Sequence, residues 1–165
     1  MPDSLSAHNL FLGEMSRTLD ERFRFSLPAE WAETLGGESG ECTLAKERPG
    51  CVSLWNTKAW QSWLDAGVAV IASKIQSGRL ERRMDQVQKL GRLLSTRHRN
   101  APIAGRGRVA LPETFREFLG VPAGGEMLVV GAGVCVEIWA PEAWSRHIGE
   151  QMPSFRDLFE ELAGN

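Results

Sequence analysis

Two short stretches of this chain, "RFRFSLP" at 22–28 and "RGRVALP" at 106–112, each place two arginines two residues apart and close on Leu-Pro, at a constant displacement of 84 residues. A guanidinium is a planar fork that pairs bidentately with phosphate oxygens, or with O6 and N7 of guanine. Residues two apart on a strand share a face. Arg22 with Arg24, and Arg106 with Arg108, are therefore expected to aim together at one side, with Phe23 and Phe25 free to face the other. The chemistry this suits is recognition of a polyanion. Arg17, Arg97 and Arg99, in the segments leading into the two motifs, are candidates for added phosphate contacts.

The distribution of charge supports the same reading where the total does not. The net charge is −2, yet from Arg79 to Arg108 nine Lys or Arg face only Glu81 and Asp85, while from Glu113 onward nine acids face three arginines. A polyanion responds to the local field. The basic run Arg79, Arg82, Arg83, Lys89 and Arg92 falls in a helical pattern and reads as a solvated face.

Catalysis finds little support. No GxSxG, HExxH or P-loop pattern occurs. Asp20 and Glu21 are adjacent acids, but the positions 84 residues on are Ala104 and Gly105, so an acid–base pair would exist in one copy only. Cys42, Cys51 and Cys135 are widely spaced, as are His8, His98 and His147, which argues against a metal site and for small buried thiols in a reducing compartment. The expectation is a non-enzyme with no cofactor, no metal and no small-molecule substrate.

The elements that must hold these arginines come from the repeat. A shift of 84 aligns Asp20–Leu64 with Ala104–Ile148 without a gap, and fourteen of the 45 positions are identical, from Arg22 through Leu27, Pro28, Gly36, Cys51 and Trp55 to Trp60. Background usage would give roughly three. The chain reads as a tandem duplication, so one description serves both units. "RFSLP" and "RVALP" alternate and stop at proline, as short strands do. "AEWAETLG" and "ETFREFLG" read as short helices ended by Gly36 and Gly120. Two strands joined by a glycine-containing turn come next, then helices opened by Thr57 as N-cap and Pro141 in the first turn. Trp55 with Trp60, and Trp139 with Trp144, suggest a packing clasp between strand end and helix start.

Leu80, Met84, Val87, Leu90 and Leu94 predict an amphipathic helix within Ser73–Ser95. Phe155, Leu158, Phe159 and Leu162 predict another in the tail, with Ser154 able to cap it. The fold class is α+β. The strands of one unit are too few to close a sheet, so each unit is expected to supply edges to the other.

With these residues in view, "FLGEMSRTLDERFRFSLPAEW", "GRGRVALPETFREFLGV" and "VCVEIWAPEAW" together resemble the MraZ family, from about Phe11 to Trp144. The resemblance implies a tandem duplicated AbrB-like swapped-hairpin β-barrel: a first repeat at 9–66, a helical connector at 67–95, a second repeat at 96–149 and a helical tail at 150–165. It also implies a sequence-specific DNA-binding transcription regulator, a ring-shaped homo-oligomer that binds short direct repeats in double-stranded DNA upstream of the division and cell-wall gene cluster. The family motif Asp-x-x-Gly-Arg places its DNA-facing arginine at Arg24 and Arg108, with Arg22 and Arg106 as helpers. Phe23 replaces the motif glycine in the first copy, and Ala104 replaces its aspartate in the second.

A second possibility is a protein-interaction module of the AbrB-like antitoxin type, whose apolar-striped tail binds a partner. Neither a basic segment followed by an apolar run nor a stretch long enough to span a bilayer is visible. The expected location is cytoplasmic and nucleoid-associated, with no membrane partner.

Overall fold

The structure, a computed structural model, describes residues 10–164, so the first position assigned to the first repeat and the last position of the tail lie outside the described residues. In chain order the strands are β1 (Glu14–Thr18), β2 (Arg24–Ser26), β3 (Glu41–Arg48), β4 (Cys51–Asn56), β5 (His98–Pro102), β6 (Arg108–Ala110), β7 (Glu126–Gly131) and β8 (Val136–Trp139). The helices are α1 (Ala29–Gly36), α2 (Thr57–Gln76), α3 (Met84–Arg97), α4 (Glu113–Leu119), α5 (Pro141–Gln151) and α6 (Phe155–Ala163). The α+β class agrees with expectation. β1 and β5, β2 and β6, α1 and α4, β3 and β7, β4 and β8, and the starts of α2 and α5 recur at the 84-residue displacement.

Pairing crosses between the units. The larger sheet has six antiparallel strands in the order β1-β7-β8-β4-β3-β5. The opening strand of each unit thus pairs with the hairpin of the other: Met15 lies opposite Val129, and Arg99 opposite Leu44. β2 and β6, the arginine strands, pair only with each other, with Phe25 opposite Val109. Phe25, Leu27, Leu35, Leu44, Val109, Leu111, Leu119, Val129 and Ile138 are buried in a single cluster drawn from both units. Neither half has a core of its own.

Several local expectations are corrected. Asn56, not Thr57, caps α2: its Oδ1 accepts from the Ala59 N–H at 3.0 Å, while the Thr57 hydroxyl donates to the Glu41 carbonyl. The extended backbone at Asn56 (φ −60°, ψ 125°) gives that side chain the N-cap position. Gly36 stays within α1, and Gly37 takes the positive φ of 51° that ends it; Gly120 ends α4 as expected, at φ 77°. The predicted single helix within Ser73–Ser95 is two elements, because α2 stops at Gln76 and Gly78 turns the chain at φ 78° before a 3-10 turn leads into α3. Ser154 makes no side-chain cap on α6, since its own backbone is already helical.

The tryptophan clasps are present. The Trp55 and Trp60 rings lie 5.4 Å apart, as do those of Trp139 and Trp144, with Trp60 and Trp139 buried. All three cysteines are buried and unbridged. No described helix is long and apolar enough to cross a membrane.

Candidate nucleic-acid interface

Each arginine strand starts from a tight turn, and the two turns share one hydrogen-bond frame. The Asp20 N–H donates to the Arg24 carbonyl at 2.9 Å and the Phe23 N–H to the Asp20 carbonyl at 2.9 Å. In the second unit the Ala104 N–H donates to Arg108 at 2.8 Å and the Gly107 N–H to Ala104 at 3.1 Å. The frames are then tied across the molecule: the Leu27 N–H donates to the Gly107 carbonyl and the Leu111 N–H to the Phe23 carbonyl, both at 2.9 Å. The duplication thereby brings both motifs to one place.

Position 23/107 demands a left-handed backbone. Gly107 supplies it at φ 71°, and a Cβ there would sit 2.7 Å from the Leu27 carbonyl oxygen. Phe23 occupies the same region at φ 57°, a conformation that costs a non-glycine residue about 1–2 kcal/mol. Its ring is covered by Arg116, whose guanidinium carbon lies 4.4 Å from the ring centroid while its Nε donates to the Leu111 carbonyl at 2.8 Å. Such a cation–π contact contributes about 0.5–1 kcal/mol at an exposed site. Phe23 thus keeps the positive φ that glycine supplies at the equivalent position of the second turn. Sequence reading missed Arg116. The available signal was a paired departure: Arg116 replaces Ala32 in the same alignment in which Phe23 replaces Gly107.

The arginines do not all lie where alternation predicts. Arg22 is exposed on the first turn and Arg106 on the second, so neither belongs to a strand. The turns are closed before the ladder begins, which breaks the expected alternation. The shared face is instead formed across the ribbon. Phe25 and Val109 point into the core, which leaves Arg24, Ser26, Arg108 and Ala110 on the outer side. An open groove of about 610 Å³ runs along it, lined by Arg24, Pro102, Ala104, Gly105, Arg106, Arg108 and Ala110. It unites three of the four principal arginines and leaves Arg22 out.

Their environments differ. The Asp20 carboxylate accepts the N–H groups of Arg22 and Arg24 at 2.8 Å each and Arg24 Nε at 3.0 Å. The Arg24 backbone N–H acts first, followed by that of Arg22 and by the Arg24 guanidinium. They outweigh a partial loss of hydration and hold the Asp20 carboxyl below its ordinary value. Arg17 Nε donates to the Ser26 carbonyl at 3.1 Å, tying β1 to β2. Arg97 is held by the Lys46 carbonyl and the Glu47 carboxylate. Arg99 is exposed on β5. Arg79, Arg82, Arg83, Lys89 and Arg92 are exposed on the helical connector. No group of three or more metal-ligating side chains occurs among the described residues.

Comparison with known proteins meets this geometry from another side. Residues 103–165 match the family model described as "MraZ protein, putative antitoxin-like". Over 153 residues the chain is 27% identical to the "Transcriptional regulator MraZ" of Syntrophomonas wolfei, covering 93% of this chain and 96% of that protein. The protein of the same name from Leifsonia xyli is 29% identical with the same coverage. That of Arthrobacter sp. is 28% identical over 156 residues, covering 94% of this chain and 99% of its own length.

Proposed function

We propose that this chain, which resembles the MraZ regulators over most of its length, is a DNA-binding transcription regulator of that family whose outer ribbon face meets duplex DNA. Arg24 and Arg108 are its principal contacts, with Arg106 and Arg22 beside them and Arg99, exposed on β5, as an added phosphate contact. The observation that carries this reading is the convergence of Arg24, Arg106 and Arg108, from both units, on one open groove. An open groove that carries three arginine forks suits a phosphate backbone better than a small molecule. We read the crossed strand pairing as the swapped-hairpin arrangement of AbrB-like repeats. The domain limits follow as two repeats, 9–66 and 96–149, a connector at 67–95 and a tail at 150–165.

Single contacts of this kind are weak, and repetition strengthens them through effective concentration. The assembly is a ring of identical chains on direct repeats, located with the nucleoid and controlling division and cell-wall genes. Two features favour self-assembly. α6 exposes Phe155, Leu158, Phe159 and Leu162 beside Asp157, Glu160 and Glu161, and the connector exposes Met84, Leu90 and Leu93 beside its arginines. These are apolar stripes of opposite charge. The exposed α6 stripe also favours the second reading, in which the tail docks a different protein.

Replacing both Arg24 and Arg108 with Ala is expected to abolish gel retardation of the fragment upstream of the protein's own coding sequence while leaving the oligomer's size on gel filtration unchanged. Each phosphate contact contributes about 0.9 to the slope of log affinity against log salt. Undiminished retardation by the double variant would remove these arginines from the interface.

A further inference from the structure

The groove has two unlike walls. The turns at 20–24 and 104–108 close on the same backbone hydrogen bonds, so positions 20 and 104 are equivalent. One carries a carboxylate and the other a methyl group. Asp20 directs three acceptor contacts at its own loop, to two backbone N–H groups and to Arg24 Nε. Among the described residues, Arg106 and Arg108 have no side-chain hydrogen bond and no ion pair, and the salt bridges are Arg24–Asp20 and Arg97–Glu47. The backbone differs with the side chain. Arg106 sits at φ 68°, whereas Arg22, its counterpart, has no positive φ. An aspartate oxygen that takes the N–H two residues on holds a turn in one form. The second turn lacks that oxygen, and there Arg106, at its positive φ, lines the groove.

We propose, resting on the DNA-binding reading above, that the two principal arginines contact DNA unequally: Arg108, with Arg106 beside it, makes the stronger phosphate contact, and Asp20, as a positioning residue, holds Arg24 back on the opposite wall. An anion approaching Arg24 meets a guanidinium already neutralised by a carboxylate 3.0 Å away and must share its donors. An anion approaching Arg108 meets uncompensated charge. The duplication therefore preserves the frame twice but displays an unopposed fork once. Strong contacts recur once per chain along an assembly, at the chain-to-chain spacing, and the footprint of one chain has no internal two-fold symmetry.

The test is fluorescence anisotropy of the full chain with two labelled duplexes of equal length, one from upstream of its own coding sequence and one of mixed sequence, over a salt series. Arg108→Ala is expected to weaken binding about tenfold and lower the salt slope by about 0.9. Arg24→Ala is expected to weaken it by no more than about threefold. Ala104→Asp installs the missing carboxylate and should behave like Arg108→Ala, with an unchanged or higher melting temperature. Asp20→Asn keeps the amide-accepting oxygen, removes the charge and should tighten binding. Equal losses for Arg24→Ala and Arg108→Ala, or full affinity in Ala104→Asp, overturn the inequality while leaving DNA binding intact. Wild-type protein that binds neither duplex overturns both readings. Arg24→Lys against Arg108→Lys repeats the comparison with charge retained, should an alanine variant fail to fold.

Discussion

At the scale of single residues, burial decides which groups are available for chemistry. Cys42, Cys51 and Cys135 lie within the sheet or at its margin, and loss of hydration is the first cause raising all three thiols, Cys42 and Cys135 to about 12 and Cys51 further. They stay protonated at neutral pH. Ellman's reagent at pH 8 is expected to modify them only after denaturant is added, and fast labelling of the native protein would contradict their placement. The linkage has a definite sign. A thiol whose folded pKa exceeds its unfolded value of 9.0 stabilises the fold fully below that pH, and the contribution fades as the solution is taken from 9.0 towards about 12. The buried character of these cysteines was legible from composition and spacing. The contact of Arg116 with Phe23 was marked only by paired departures between the two copies, because it joins residues far apart in sequence and involves no motif arginine.

At the scale of elements, what the sequence made legible follows periodicity and punctuation. Leu27-Pro28 and Leu111-Pro112 end strands, Gly120 ends a helix, and Pro141 begins one, as their backbone chemistry requires. Boundaries failed where two residues could perform one task, as with Asn56 and Thr57, or where a glycine interrupted an apolar stripe, as at Gly78. The arginine strands illustrate the limit for the candidate site. Their residues were legible, but the face they share is formed by cross-unit pairing that alternation within either strand does not reveal. Gly50 exposes another such dependence. It turns the β3–β4 hairpin at φ 87°, its N–H donates to the Phe118 carbonyl and its carbonyl accepts from Ala140, both in the second unit. A Cβ there would lie 2.6 Å from the Ala143 methyl. Gly50→Ala is expected to destabilise the fold by at least about 1–2 kcal/mol from the backbone alone, with the clash adding to it, as a thermal melt would show. An unchanged melting temperature would contradict that contact.

At the scale of the whole molecule, the tail separates the two functional readings. The α6 stripe is more than half exposed at every apolar position named, from 52% at Leu158 to 77% at Leu162, so something outside the single chain must cover it if it is to be buried at all. Removing residues 155–165 is expected to reduce the particle mass measured by light scattering while leaving the monomer folded, if the stripe clasps a neighbouring copy. An assembly of unchanged mass would instead favour a docking helix for another protein. The crossed pairing of strands bears on how such a chain is born. Glu14 finds its ladder partner at Val130, and the first hairpin finds β5 only after both connector helices. At synthesis rates of about 5–20 residues per second, the 84 residues separating equivalent elements represent roughly 4 to 17 s. For that interval the emerging first copy carries unpaired strand edges and half of a hydrophobic interior. A nascent chain of this design waits for its own second half before it can become water-tight, and neighbouring ribosomes on the same message hold the nearest wrong partners.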